Sequence, residues 1–179
     1  ALPLGSRRAP KSDRLLGEDD RVELIEGEII DMAPIGSRHA GTITDLNARL
    51  QRALAGMALV SVQGPVILSA RSEPEPVLAV LKRRADCYRS GHPEPADVFL
   101  LIEVAEISLA YDREVKLPLY AAHGILETWI VDLEGRRLGI HRQPAAAGYR
   151  EQLGCPDLAR VPLPSSLGGT LDLRGLFGD

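Results

Sequence analysis

The sequence predicts a single α/β (α+β) domain, a mixed central sheet flanked by helices and preceded by a β-hairpin. Three observations predict it. Two separated segments carry helical periodicity, and apolar runs of strand length lie between and after them. A pair of short apolar stretches around Glu26-Gly27 opens the ordered region. The length of 179 residues, with 45% apolar content, suits one core of ordinary size.

Residues 1–20 mix Pro, Gly and charge without a period, which predicts a loose N-terminal arm with a short helix around Arg14 to Leu16. The domain proper is expected over residues 21–179. In residues 21–32 the stretches on either side of Glu26-Gly27 form a hairpin signal, with Gly27 supplying a positive φ. Ala33-Pro34-Ile35-Gly36 breaks the second strand. Ser37 is a candidate N-cap. Beyond it Ile43, Leu46, Leu50 and Leu54 recur at three- and four-residue steps, an amphipathic helix ending near Gly56.

Residues 59–62 and 65–68 read as strand pieces, and residues 72–76 as a proline-rich turn. Residues 77–81 are a continuous apolar run of the kind a buried strand carries. Residues 97–105 form the best central strand, with one charge, Glu103, deep inside it. Residues 111–123 are helical by pattern, with Val115, Leu119 and Ala122 on one side. Pro118 bends that helix or marks its first turn, and Gly124 fits its C-terminal cap. Residues 127–132 and 137–142 are two further strands joined through Glu134-Gly135. From Gln143 onward the chain reads as loop, with a weak closing element around residues 171–176.

Bulk charge narrows the function classes. A net charge of -4 is wrong for a general nucleic-acid binder, so any phosphate contact must come from a local cluster. Lys82, Arg83 and Arg84 are that cluster. Cys87 and Cys155 belong to no CxxC pair, and Cys87 with His92 lacks a second ligand pair, so reduced thiols are expected. No run approaches the roughly 20 apolar residues of a membrane span, and the first residues do not form a signal peptide. A cytoplasmic protein with no membrane association is expected.

Few residues offer chemistry. A carboxylate inside a buried strand costs free energy unless it is paired or holds a cation. Glu103 therefore either belongs to a site or lies solvated at a strand end. Asp112 and Lys116 stand at i and i+4, and alone would be an exposed helical pair worth about 0.3–0.5 kcal/mol. With Glu103 just upstream, Lys116 can instead point into the same pocket. His39 opens the first helix. Glu23 and Glu28 lie on hairpin faces and attract no attention in isolation. There is no nucleophile elbow, zinc-protease motif, phosphate-binding loop or dinucleotide fingerprint.

Several stretches, taken together and in order, match a known pattern. They are Glu23-Leu24-Ile25-Glu26-Gly27-Glu28, Met32-Ala33-Pro34 through His39, Ser72-Glu73-Pro74-Glu75-Pro76, and Asp97-Val98 through Glu103-Val104. Asp112 through Tyr120 and Gly124 through Asp132 complete it. Over about residues 20–142 the chain resembles the Uma-two family of restriction endonucleases, a branch of the PD-(D/E)XK nuclease superfamily. The resemblance implies a restriction-endonuclease-like fold and DNA phosphodiester hydrolysis with Mg²⁺ or Mn²⁺. It implies that Glu103 is an acidic metal ligand. Ala105 stands where the superfamily places Lys, and Lys116 would supply that amine from the following helix. His39 is implied as an accessory catalytic residue, and a homodimer is compatible with the family.

One position departs from the pattern. Val77 occupies the place of the Asp that is the principal metal carboxylate. Mg²⁺ needs hard oxygen ligands and Val has none, so weak or absent cleavage is expected. Glu75, two residues away, is the candidate substitute, although Pro74 and Pro76 flank it. The alternative is a non-catalytic module binding nucleic acid or a protein partner. Trp129 and its apolar neighbours are expected in the core, or else in a dimer interface.

Overall fold

The computed structural model describes residues 21–178. The expected arm over residues 1–20, with its short helix, lies outside the described residues.

Strands β1 (Val22–Ile25) and β2 (Glu28–Asp31) pair antiparallel, with Ile25 opposite Glu28. Glu26 and Gly27 both have positive φ, 51° and 87°. Two such residues make the tight turn whose twist matches a two-residue hairpin. The hairpin stands apart from the main sheet and is tied to the turn over residues 71–73 by reciprocal backbone bonds between Leu24 and Glu73 and by the Gly27 N–H to the Arg71 carbonyl.

Helix α1 (Ser37–Ala53) buries Ile43, Leu46 and Leu50. Its N-cap is Gly36 rather than Ser37, and no side chain caps it. Gly36 still has extended backbone angles, so Ser37 is already the first helical residue and its hydroxyl does not fill the capping role.

The main sheet has six strands in chain order: β3 (Leu59–Val62), β4 (Leu78–Leu81), β5 (Val98–Ala105), β6 (Glu127–Asp132), β7 (Arg137–Ala145) and β8 (Gly148–Gly154). Only β5 and β6 run parallel. Parallel neighbours need a long crossover, and here it carries helix α2 (Leu109–Tyr111), a π-helical turn (Asp112–Lys116) and helix α3 (Leu117–Ala122). The short strands β9 (Val161–Pro162) and β10 (Thr170–Leu171) pair beside the sheet.

Two expectations are corrected. Residues 65–68 form no strand. Their amides bond to Pro74, Pro93 and Ser72 in turn, so no single partner segment offers a ladder. Conversely, β7 runs on to Ala145 and β8 adds an edge strand where loop was expected. Of the β8 residues only Tyr149 is buried. An edge strand with so little buried face has no alternating apolar pattern to announce it.

The sheet separates two cores. Leu46, Leu50 and Leu54 pack with Leu78, Val80, Ile102, Val104 and Trp129 on one face, closed by Leu171 and Leu173. Leu117, Leu119 and Tyr120 pack with Ala79, Leu101, Ala105 and Ile130 on the other. Trp129 is therefore core, and its Nε1 donates to Glu127 at 2.7 Å. Side chains alternate along β5. Ile102 and Val104 face α1, so Glu103 faces the crossover helices.

Candidate active site

Pro118 determines how the crossover meets the sheet. Its ring lacks an N–H and would crowd the carbonyl four residues back in a regular helix. The chain widens into a π turn just before it, and the Leu117 N–H reaches Asp112 O instead. Such turns redirect side chains within a helix. Here the result is that Asp112 and Lys116 are both 4% exposed, not a solvated surface pair.

Lys116 Nζ lies 3.0 Å from Glu23 Oε2 and 3.2 Å from Glu103 Oε1. Tyr120 donates its hydroxyl to the same Glu103 Oε1 at 2.5 Å. Glu103 Oε2 receives only a long bond of 3.4 Å from the Val77 N–H. Glu23 Oε2 also accepts the Glu75 N–H at 3.2 Å. Asp112 accepts from the Ser108 hydroxyl at 2.7 Å. Four elements thus converge: the hairpin brings Glu23, the central strand Glu103, the π turn Asp112 and Lys116, and α3 Tyr120. Glu23, Glu103, Asp112 and Lys116 line a cavity of about 210 Å³, with Tyr120 buried behind Glu103.

Burial and charge compete at each group. Burial raises the Glu103 pKa, against the opposing pull of Lys116 and Tyr120. Burial alone would discharge Lys116, but Glu103, Glu23 and Asp112 outweigh it and hold the ammonium above its ordinary range. The Tyr120 phenol is raised by burial and by Glu103. The Tyr111 phenol is raised by burial first and then by Glu23, although its hydroxyl makes no hydrogen bond of good geometry.

Asp112 is pushed up to about 7, first by burial and then by Glu103. A carboxyl raised from 3.8 to about 7 favours the folded state when protonated. Its contribution is present at low pH and is lost as pH rises from about 4 through 7. The shift corresponds to on the order of 4 kcal/mol between the two protonation states. Asp112→Asn keeps an acceptor for Ser108 without the charge. Urea melts are expected to show it more stable than the unmodified chain at pH 8, with the gap shrinking toward pH 5. Parallel curves across that range would remove Asp112 as the titrating group.

The other expected site residues divide. His39 is half-buried on the cavity wall, its pKa lowered mainly by burial, with Glu106 opposing. Val77 lines the cavity beside Glu103, and Glu75 lines it with its carboxylate 3.6 Å from Arg21. Lys82, Arg83 and Arg84 line neither this cavity nor its rim. Lys82 and Arg83 are exposed. Arg84 bonds Asp86 at 2.6 Å and stacks 4.0 Å over Tyr88. Cys87 and Cys155 are free thiols. Glu23 and Tyr120 are the residues that sequence reasoning missed. Glu23 shares a strand face with the buried Ile25, and Tyr120 stands four residues after Lys116. Those spacings were the available signals.

The residues do not fit a divalent cation as they stand. Mg²⁺ asks for near-octahedral oxygen coordination. Lys116 takes one oxygen from each of Glu103 and Glu23, and Val77 contributes none. Among the described residues no group of three or more His, Cys, Asp or Glu is arranged to hold a metal. The Lys116 ammonium balances the carboxylates in this arrangement. Among the same residues no helix is long and apolar enough to cross a membrane.

Comparison with known proteins follows the same lines. The family model Uma2, described as "Putative restriction endonuclease", matches residues 9–174. A crystal structure of a putative nuclease belonging to DUF820 from Anabaena variabilis superposes with a TM-score of 0.71 at 17% identity. It covers 91% of this chain and 93% of its own. No curated protein matches. At that identity the superposition speaks for the fold.

Proposed function

We propose that this chain, which belongs to the Uma2 family of putative restriction endonucleases, derives from a Mg²⁺-dependent DNA endonuclease and cleaves DNA weakly or not at all. The observation that carries this reading is the Lys116 ammonium between Glu23 and Glu103, with Val77 beside the one Glu103 oxygen left nearly free. In an active relative the metal would stabilise charge developing on the phosphate. In this chain Glu103, Lys116 and Tyr120 retain the outline of such a pocket, and His39 lines its approach. Position 77 lacks the carboxylate that would complete it.

The test is a calorimetric Mn²⁺ titration of the unmodified chain, paired with plasmid cleavage and a Glu103→Ala control. No saturable binding, and no nicking above the control, is expected. Mn²⁺-dependent cleavage that Glu103→Ala abolishes would overturn the reading and point to Glu75 as the substitute ligand.

A second reading keeps the fold as a binding module. Lys82 and Arg83 are exposed and free to meet phosphate, while the net charge of -4 favours a protein partner. DNA affinity falling steeply with salt would support the nucleic-acid form. No DNA binding at low salt would leave the protein form.

A further inference from the structure

A second cavity, of about 530 Å³, lies on the far side of the π turn. Asp112 and Lys116 face the first cavity, whereas Arg113 and Leu117 line this one. The π turn is thus a shared wall.

Strand register explains the opening. Gly139 on β7 pairs with Gly154 on β8. Two glycines side by side leave a notch in the sheet face, and both line the cavity. A Cβ added at Gly154 would meet nothing within 4 Å. One at Gly139 would come within 3.1 Å of His141 Nε2, so the imidazole overhangs the notch. His141 pairs with Gln152 in the next row of the same face.

Arg113 and the His141 Nδ1 have no described partner, whereas Asp132, Arg137 and Tyr149, which also line this cavity, are paired. His141 is 8% exposed, and its Nδ1 is buried with no hydrogen-bond partner. Its only described packing partner with a ring is Tyr149, at 6.1 Å between centroids. Arg113 is exposed and has no ion-pair partner among the described residues. It lies near enough to His141 to depress the imidazole's pKa, behind the larger effect of burial. Arg137 and Asp132 also line the cavity, and their charges offset one another at 3.1 Å, which leaves Arg113 as the free cation among the described lining residues. An exposed guanidinium with no carboxylate partner among the described residues, set beside a buried imidazole, can take up an anion, and guanidinium groups suit phosphate oxygens in particular.

We propose that this cavity is a phosphate-binding site, with Arg113 as its principal cation, His141 as a hydrogen-bonding wall and the Gly139–Gly154 notch as its floor. The phosphate would come from a small phosphate ester or from a nucleic-acid backbone. The proposal does not depend on whether the first cavity cleaves anything.

The experiment titrates the full chain with inorganic phosphate, a mononucleotide and a short DNA duplex, by calorimetry and by NMR of the His141 imidazole. Saturable binding that shifts the His141 signals is expected for at least one probe. Arg113→Ala is expected to weaken it at least tenfold. Gly154→Ala, whose Cβ would meet nothing within 4 Å, narrows the notch and is expected to weaken binding measurably while leaving the melting temperature close to that of the unmodified chain. Binding of inorganic phosphate or mononucleotide assigns a small ligand. Binding of the duplex alone, weakened in both variants, assigns the DNA backbone. Failure of all three probes, or binding that both variants retain at full strength, overturns the proposal.

Discussion

Val77→Asp is expected to bind Mn²⁺ and to nick plasmid DNA at least tenfold faster than the unmodified chain. The geometry around Glu103 is the reason. Its Oε1 is held by Lys116 and Tyr120, but Oε2 turns toward position 77 with only a 3.4 Å backbone contact. A carboxylate at residue 77 would add a second hard oxygen on that side, leaving the Lys116 contact to Oε1 in place. Without metal the variant should be less stable, because Val77 is 7% exposed and a new charge there is desolvated and faces Glu103. Metal should reverse that loss by about 2.7 kcal/mol once its concentration reaches a hundred times its dissociation constant. Thermal melts with EDTA and with Mn²⁺, alongside cleavage, read both effects. A folded variant that neither binds Mn²⁺ nor cuts would mean that the pocket has diverged beyond position 77, and the binding-module reading would then be the better one.

Lys116→Met should cost about 3–5 kcal/mol of stability near neutral pH, the usual result of removing one partner from a buried ion network. Glu103 and Glu23 would remain at 3% and 4% exposure with no cation between them. Tyr120 and two backbone N–H groups cannot offset two desolvated charges. The variant should recover as pH falls, because protonation becomes the remaining way to neutralise the carboxylates. Lys116→Met combined with Glu103→Gln should regain part of the loss, since an amide leaves one charge fewer unpaired. Urea midpoints for the two variants and the unmodified chain, at two pH values, test this. A loss under about 1 kcal/mol for the single variant would contradict a charged, buried network on the scale such networks show.

Much of this was legible in the linear sequence because short-range physics governs it. Apolar steps of three and four residues marked α1, and the uninterrupted run around Glu103 marked a strand buried on both faces. Glu26-Gly27 marked the hairpin turn. The expectation at Val77 rests on comparing one position with a pattern. Other features carried no local signature. Strand β8 is an edge with one buried residue, so its pairing with β7, rather than its own composition, makes it a strand. Residues 65–68 look like a strand but find three different partners. Glu23 sits in a hairpin outside the main sheet, and nothing near it in sequence shows that its carboxylate ends 3.0 Å from Lys116.

The sequence by itself determined most of the elements of this protein and the family pattern, because periodicity and residue identity are local properties. Only the tertiary structure decided what the buried charges do. The parallel pairing of β5 and β6 forces the crossover over the sheet, the π turn before Pro118 aims Asp112 and Lys116 inward, and the hairpin brings Glu23 to meet them. Whether Lys116 is a solvated surface cation or the buried counter-charge of two carboxylates depends on contacts 13 and 93 residues apart in the chain, and in a low-dielectric interior those contacts outweigh local propensity.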